Sequence, residues 1–310
     1  MTIRSTVTIK DVEKIWNKIG SQDGFLAVPI SHPLSFQLGK NHLGNRCFAV
    51  VNLSKEIKVD SSKSISVTCE RTSNTNWRLV FVLEDKKLSE IFTKFCWDLI
   101  ECSRAADDPE VTLLFQYKKW RRMFAKWSND GMSDLAQKGL LGELMYLREL
   151  IDSIGEDAAV SAWQGPEGCD QDFEFEIGWA EVKTVKISAT AVTISSLQQL
   201  ERNDAGRLIV YFADKDGSKS KEAWSVKDIA TEILRVVVDP MCRDLFECKL
   251  ARAGYFGGDF EFYKYRVEKR VMFSVSEEFP RVTPRNVPVE IVAAQYSISL
   301  PAIQRFVIEE

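Results

Sequence analysis

The chain has 310 residues, 45% of them hydrophobic and 28% charged, with a net charge of -4. At roughly 100–200 residues per domain, that length predicts about two domains, and the composition is that of an ordinary folded protein. The slight acidity excludes a global electrostatic pull toward nucleic acid, so a nucleic-acid role needs a local basic patch.

Met1-Thr2-Ile3-Arg4-Ser5-Thr6 carries no apolar run after its one charge, and no stretch of about 18 apolar residues follows. Neither a secretory leader nor a membrane span is expected, and a cytoplasmic protein is. Val12, Ile15, Trp16 and Ile19 recur at helical spacing and predict a short helix within 1–20. Residues 25–83 read as β-rich, with strand candidates at Phe48–Leu53, Ser64–Val67 and Trp77–Val82 separated by polar turns. Leu88, Ile91, Phe92, Phe95, Leu99 and Ile100 form an amphipathic stripe, and a second helix runs from Asp107-Asp108-Pro109 to about Trp127. Gly131 breaks it, and Ser133 caps a third helix that ends near Ile154-Gly155.

From about 158 the pattern changes to strands. Phe173, Phe175 and Ile177 alternate with acidic residues, Gly178 makes a tight turn, and Trp179–Val185 returns as the second arm of a hairpin. A strand near Val192–Ile194, a short helix at 197–203, a buried strand at Arg207–Phe212 and a helix capped by Ser225 follow. Two long β signals, 260–275 and 287–300, close the chain. The fold class is α/β with a mixed sheet flanked by helices. The expected division is a β-rich module over 1–85, a helical connector over 86–132 and an α/β domain over 133–310 with a C-terminal β extension.

The seven cysteines are odd in number and none form C-x-x-C, so neither a zinc knuckle nor a disulfide framework is expected. The two histidines, His32 and His42, lie in Gly- and Asn-bearing loops. Chemistry is therefore sought among carboxylates and lysine. In a strand Glu181 and Lys183 share a face while Val182 points into the core, and Asp172 stands nine residues before Glu181 (181 minus 172) across the hairpin. Two carboxylates on adjacent strands can converge on Mg²⁺, which takes oxygen ligands, and the lysine can orient a water or hold phosphate charge.

E-x-K alone is a weak signal. Glu56-Ile57-Lys58, Glu84-Asp85-Lys86 and Glu247-Cys248-Lys249 match it too, and a solvated Glu–Lys pair is the alternative reading of 181–183. On the preceding helix, Leu140, Leu144, Leu147 and Ile151 form the apolar stripe, and Glu143 flanks it at roughly 60°. It either reaches the sheet edge or extends to water.

Gly139-Leu140-Leu141-Gly142-Glu143-Leu144, Ala162-Trp163-Gln164-Gly165-Pro166, Asp172-Phe173-Glu174-Phe175, Glu181-Val182-Lys183-Thr184 and Ile194–Leu200 together resemble a bacterial family of the PD-(D/E)XK nuclease superfamily. The resemblance implies a restriction-endonuclease-like domain over 133–310 and a metal-dependent DNA endonuclease. Asp172, Glu181, Glu143 and the Val182 backbone carbonyl would hold Mg²⁺ (or Mn²⁺), Lys183 would be the catalytic lysine, and Gln198 or Gln199 a polar residue near the site on the following helix. Gln171 stands where the family name has proline, and Asp170 competes with Asp172. The resemblance further implies a restriction-like or phage-defence system with ATPase/helicase or methyltransferase subunits, or else an inactive binding or assembly subunit. No P-loop is present. Because one site nicks one strand, double-strand cutting would imply a homodimer.

Lys118, Lys119, Arg121, Arg122 and Lys126 interleave with aromatics. Trp120, Met123, Phe124 and Trp127 share the helix's core face, so the cations are expected to fan over the rest and meet phosphates or simply water.

Overall fold

The computed structural model describes residues 5–20, 24–73, 76–126, 132–217, 222–256 and 263–309. It forms two compact units, Met1–Asn129 with Arg243–Phe256, and Asp130–Cys242 with Gly257–Glu310. Trp127 and Gly131 of the sequence expectation, and the side chain of Lys126, lie outside the described residues.

In the first unit, α1 (Ile9–Lys18) starts at a reciprocal cap in which Thr8 and Asp11 each bond the other's backbone N–H, and it buries Val12, Ile15 and Trp16. Five strands follow: β1 (Gly24–Ala27), β2 (Ser35–Lys40), β3 (Arg46–Leu53), β4 (Ile65–Arg71) and β5 (Trp77–Leu83). They form one antiparallel sheet in the order β1-β2-β3-β5-β4. Helices α2 (Ser89–Cys102) and α3 (Pro109–Lys126) complete this stretch of chain. Phe95 of α2 is the centre of the aromatic core: its ring lies 5.6 Å from Phe81, 5.8 Å from Trp120 and 6.0 Å from Phe124. Trp120, Met123 and Phe124 are buried, as the spacing on α3 predicts.

The second unit opens with α4 (Asp134–Ile154), capped by Ser133, and α5 (Glu156–Ala162). Next come β6 (Phe173–Glu174), β7 (Trp179–Val185), β8 (Ala191–Ile194), β9 (Gly206–Lys215), β10 (Ala223–Trp224) and α6 (Val226–Val236); the following helix, α7 (Pro240–Arg252), belongs to the first unit from Arg243 onward. The last strands are β11 (Tyr265–Val275), β12 (Tyr296–Ser299) and β13 (Val307–Glu309). The main sheet runs β10-β11-β9-β7-β6, with β13 also on β11. Only β7 and β9 are parallel, so the sheet is mixed, as the element order predicts. β8 and β12 form a separate two-stranded ribbon. One face of β7, β9 and β11 packs on that ribbon through Trp179, Leu208, Val210, Val271 and Ile298. On the other face Gly142 of α4 lies against Val182 and Thr184, where any larger side chain would collide.

Four local expectations change. Residues 156–162 are helical instead of extended, because Gly155 takes a positive φ of 86° and restarts the chain with acidic Glu156 and Asp157 in a new first turn. Residues 197–203 form turns and no helix. Leu197 and Leu200 are buried three apart and mimic helical periodicity, but the Gln199 side chain accepts from Ser195 N–H at 2.7 Å and closes a turn. The β6–β7 hairpin pairs only Phe173 and Glu174, and Ile177 at its tip is 85% exposed. The second C-terminal β signal forms a strand only at β12; Val289 is 90% exposed, outside the packed surface that apolar β-formers need.

Candidate active site

Strand β7 carries Glu181 and Lys183 on the face turned to the β8–β12 ribbon. Glu181 is fully buried, and Lys183 keeps 18% of its side chain exposed. The lysine's Nζ donates to Glu181 Oε1 at 2.5 Å. Among the described residues, no strand pairs with β7 beyond Ala180 on the side away from β9. The Asp172 side chain takes that place: its Oδ2 accepts from Val182 N–H at 2.8 Å. In a strand the N–H and C=O of one residue leave the same edge, so the Val182 carbonyl also faces the Asp172 side.

Asp172 stands just before β6. Its own carbonyl accepts from Gln164 N–H (2.7 Å) and Gly165 N–H (3.0 Å), and Trp163 makes an isolated bridge to Phe173. Glu143 reaches this corner from α4, and its Oε2 accepts from Trp163 Nε1 at 2.9 Å. A Cβ on Gly165 would lie 2.7 Å from Glu143 Oε2 and 3.3 Å from Asp172 Oδ1, so the two carboxylates face each other over a bare glycine.

The electrostatics follow from three carboxylates and one ammonium in a place poor in water. Burial first, and then the charge of Asp172, push Glu143 up to about 8. Burial raises Asp172, with Lys183 and the Val182 N–H opposing. Glu181 is raised well above the usual carboxylate range by burial and by Asp172. Burial works against the charge on Lys183, but Glu181 and Asp172 outweigh it and hold the ammonium above its ordinary value. Glu181 Oε2 is buried with no hydrogen-bond partner among the described residues. An orphaned carboxylate oxygen, mutually repelling acids and a cradle that a Cβ would fill are the features a divalent cation fits. The fit is of donor chemistry: among the described residues, no group of three or more His, Cys, Asp or Glu is already drawn together as a ligand set.

The structure thus brings Asp172, Glu181, Lys183, Val182 and Glu143 into one corner. Gln198 contributes its backbone carbonyl to Gln171 Nε2 at 2.8 Å, and Gln199 is spent on its own turn; the helix on which they were expected is absent. Asp170 is exposed. Of the competing triplets, Glu56-Ile57-Lys58 lies in an irregular segment after β3, and Glu247–Lys249 lies on α7, where residues two apart do not face each other. His32 is bonded through both ring nitrogens to the backbone, at Leu34 N–H and Ile100 C=O. On α3, Lys118 and Arg122 are exposed, while Arg121 pairs with Asp60 and Lys119 lies over the Phe115 ring at 5.2 Å. Trp163 and Gly165 are the site residues that sequence reasoning did not single out. They stand in one of the runs that carried the resemblance, and a Trp followed closely by Gly-Pro at a helix end was the available signal.

A mixed sheet with an acidic residue beside a Glu-x-Lys strand, backed by a helix glutamate, defines a PD-(D/E)XK-type fold. Across residues 12–301 the chain matches the family described as "Putative PD-(D/E)XK family member, (DUF4420)", and it belongs to that family. No curated protein and no solved structure matches the chain. Among the described residues, no helix is long and apolar enough to cross a membrane.

Proposed function

We propose that the protein is a Mg²⁺- or Mn²⁺-dependent DNA endonuclease, working in the cytoplasm as a component of a restriction-like or phage-defence system. The observation that carries this reading is the junction at β7, where Asp172 is bonded to Val182 N–H and Lys183 to Glu181, one residue to either side of Val182. Asp172, Glu181, Glu143 and the Val182 carbonyl would hold the cation, which supplies Lewis acidity and a lowered water pKa. Among the described residues, Lys183 is the cation that bears on Glu143, Asp172 and Glu181 alike, and its part-exposed ammonium is suited to hold a phosphate oxygen or orient a water. Glu181 keeps that ammonium on the strand's face, and the Val182 N–H keeps Asp172 from turning away.

The experiment is cleavage of supercoiled plasmid by wild type and by Lys183→Ala with Mg²⁺ or Mn²⁺. The expected outcome is cutting, with nicked circles first, that falls at least about 100-fold in the variant. Equal cutting by both proteins would refute the assignment of Lys183.

A second reading is an inactive nuclease-fold subunit that binds DNA or assembles with ATPase/helicase or methyltransferase partners. This reading expects no cutting by either protein and no stabilisation by Mn²⁺.

A further inference from the structure

The Trp163-Gln164-Gly165-Pro166 segment has no part in the reading above, yet it bonds the Glu143 carboxylate and the Asp172 backbone. It is held in place from the site itself: Gln164 and Gly165 N–H both bond the Asp172 carbonyl. Trp163 is fully buried, and its indole N–H donates to Glu143 Oε2. That bond leaves Glu143 its other oxygen for a different partner. Gly165 comes next, and the nearest atoms to the place where its side chain would begin are Glu143 Oε2 at 2.7 Å and Asp172 Oδ1 at 3.3 Å. Gly165 takes no unusual positive φ. Its lack of a side chain is therefore explained by space and not by backbone strain.

We propose that Trp163 is a positioning residue that fixes the Glu143 carboxylate for a divalent cation, and that Gly165 keeps open the space between Glu143 and Asp172 in which such a cation is bound. The inference rests on the metal-dependent reading of the site. Partners that orient a ligating carboxylate without touching the metal are worth about 10–100-fold in metal affinity. Trp163→Phe keeps the ring and deletes only the donor. Gly165→Ala adds one carbon in the cradle and leaves the core untouched.

The test is titration of the full chain with Mn²⁺ alone, followed by calorimetry, with the metal-free melting temperature of each variant measured alongside. Wild type, Trp163→Phe, Gly165→Ala, Glu143→Ala and Asp172→Ala are compared. The expected result is about 10-fold or greater loss of Mn²⁺ affinity in Trp163→Phe, a similar or larger loss in Gly165→Ala, and a metal-free melting temperature for Gly165→Ala within a few degrees of wild type. Wild-type affinity in Gly165→Ala, or in a folded Trp163→Phe, together with lost affinity in Glu143→Ala, would overturn this proposal and leave the metal site standing. Wild-type affinity in Glu143→Ala and Asp172→Ala would overturn the metal reading itself. If Trp163→Phe does not fold, Gly165→Ala decides.

Discussion

Among the described residues, three carboxylates share one water-poor corner with the Lys183 ammonium, and that imbalance sets a pH dependence. Glu143 moves from its ordinary 4.5 up to about 8, so the folded state binds this proton more tightly than the unfolded chain does. The sign follows by linkage: the stability it contributes is fully present below about pH 4.5 and is lost as pH rises through about 8. Asp172 and Glu181, also raised, act in the same direction. Metal-free protein should therefore melt at lower temperature at pH 8 than at pH 5.5, and Glu143→Gln should flatten the difference. On the metal-dependent function proposed above, Mn²⁺ would compete with those protons, and its stabilising effect should grow over the same interval. A wild type and a Glu143→Gln variant with superimposable pH profiles would contradict this account. Glu181 and Lys183 were legible in the sequence as a pair because strand alternation places residues two apart on one face, and Asp172 because a short hairpin sets the residues before its turn beside the returning strand. Trp163 and Gly165 were not, since a contact between an indole and a carboxylate 20 residues apart leaves no periodic trace.

Among the elements, the β6–β7 hairpin presents Asp172 to β7, and its turn depends on Gly178. This glycine has φ of 97°, and a Cβ there would lie 2.5 Å from the Ala205 carbonyl oxygen, a backbone atom that cannot swing aside. Gly178→Ala should cost about 2 kcal/mol or more, from the left-handed backbone and the collision together, as read by urea denaturation. A loss within about 0.5 kcal/mol would show that the turn relaxes freely. Helices α1, α2, α3, α4 and α6 were legible because each carries a long apolar stripe, and α1, α4 and α6 also a capping side chain. α5, with seven residues, was too short for a stripe to emerge. The 197–203 segment shows the opposite failure, where two buried leucines at helical spacing belong to a turn. The single pleat of β6 was overdrawn because alternation of Phe173, Phe175 and Ile177 says nothing about whether a partner strand extends that far.

At the scale of the whole molecule, the net charge of -4 confines any attraction to DNA to local patches. On α3, Lys118 and Arg122 are exposed, whereas Arg121 is paired with Asp60. Reversing both exposed charges, Lys118→Glu with Arg122→Glu, should weaken DNA binding and lower the slope of log affinity against log salt by about 2. Unchanged affinity and slope would remove α3 from the DNA surface. The β-rich character of the first unit and the mixed sheet of the second were readable from the order of elements. That the first unit is closed by residues 243–256 was not, since nothing local in that stretch announces its partner.

That closure has a consequence for how the protein is made. Asp98 is buried, and one of its oxygens accepts from Gln116, Trp120 and Arg252, each at 2.6 Å. Arg252 is the cation of that cluster, and it leaves the ribosome about 120 residues after the rest of its unit. At typical synthesis rates of about 5–20 residues per second that is a wait of roughly 6–25 s. During it Asp98 lacks its counter-charge, a vacancy that in a finished protein costs about 3–5 kcal/mol. The half of the chain synthesised first is thus among the last to be completed, and a nascent chain interrupted anywhere before Arg252 leaves both units unfinished.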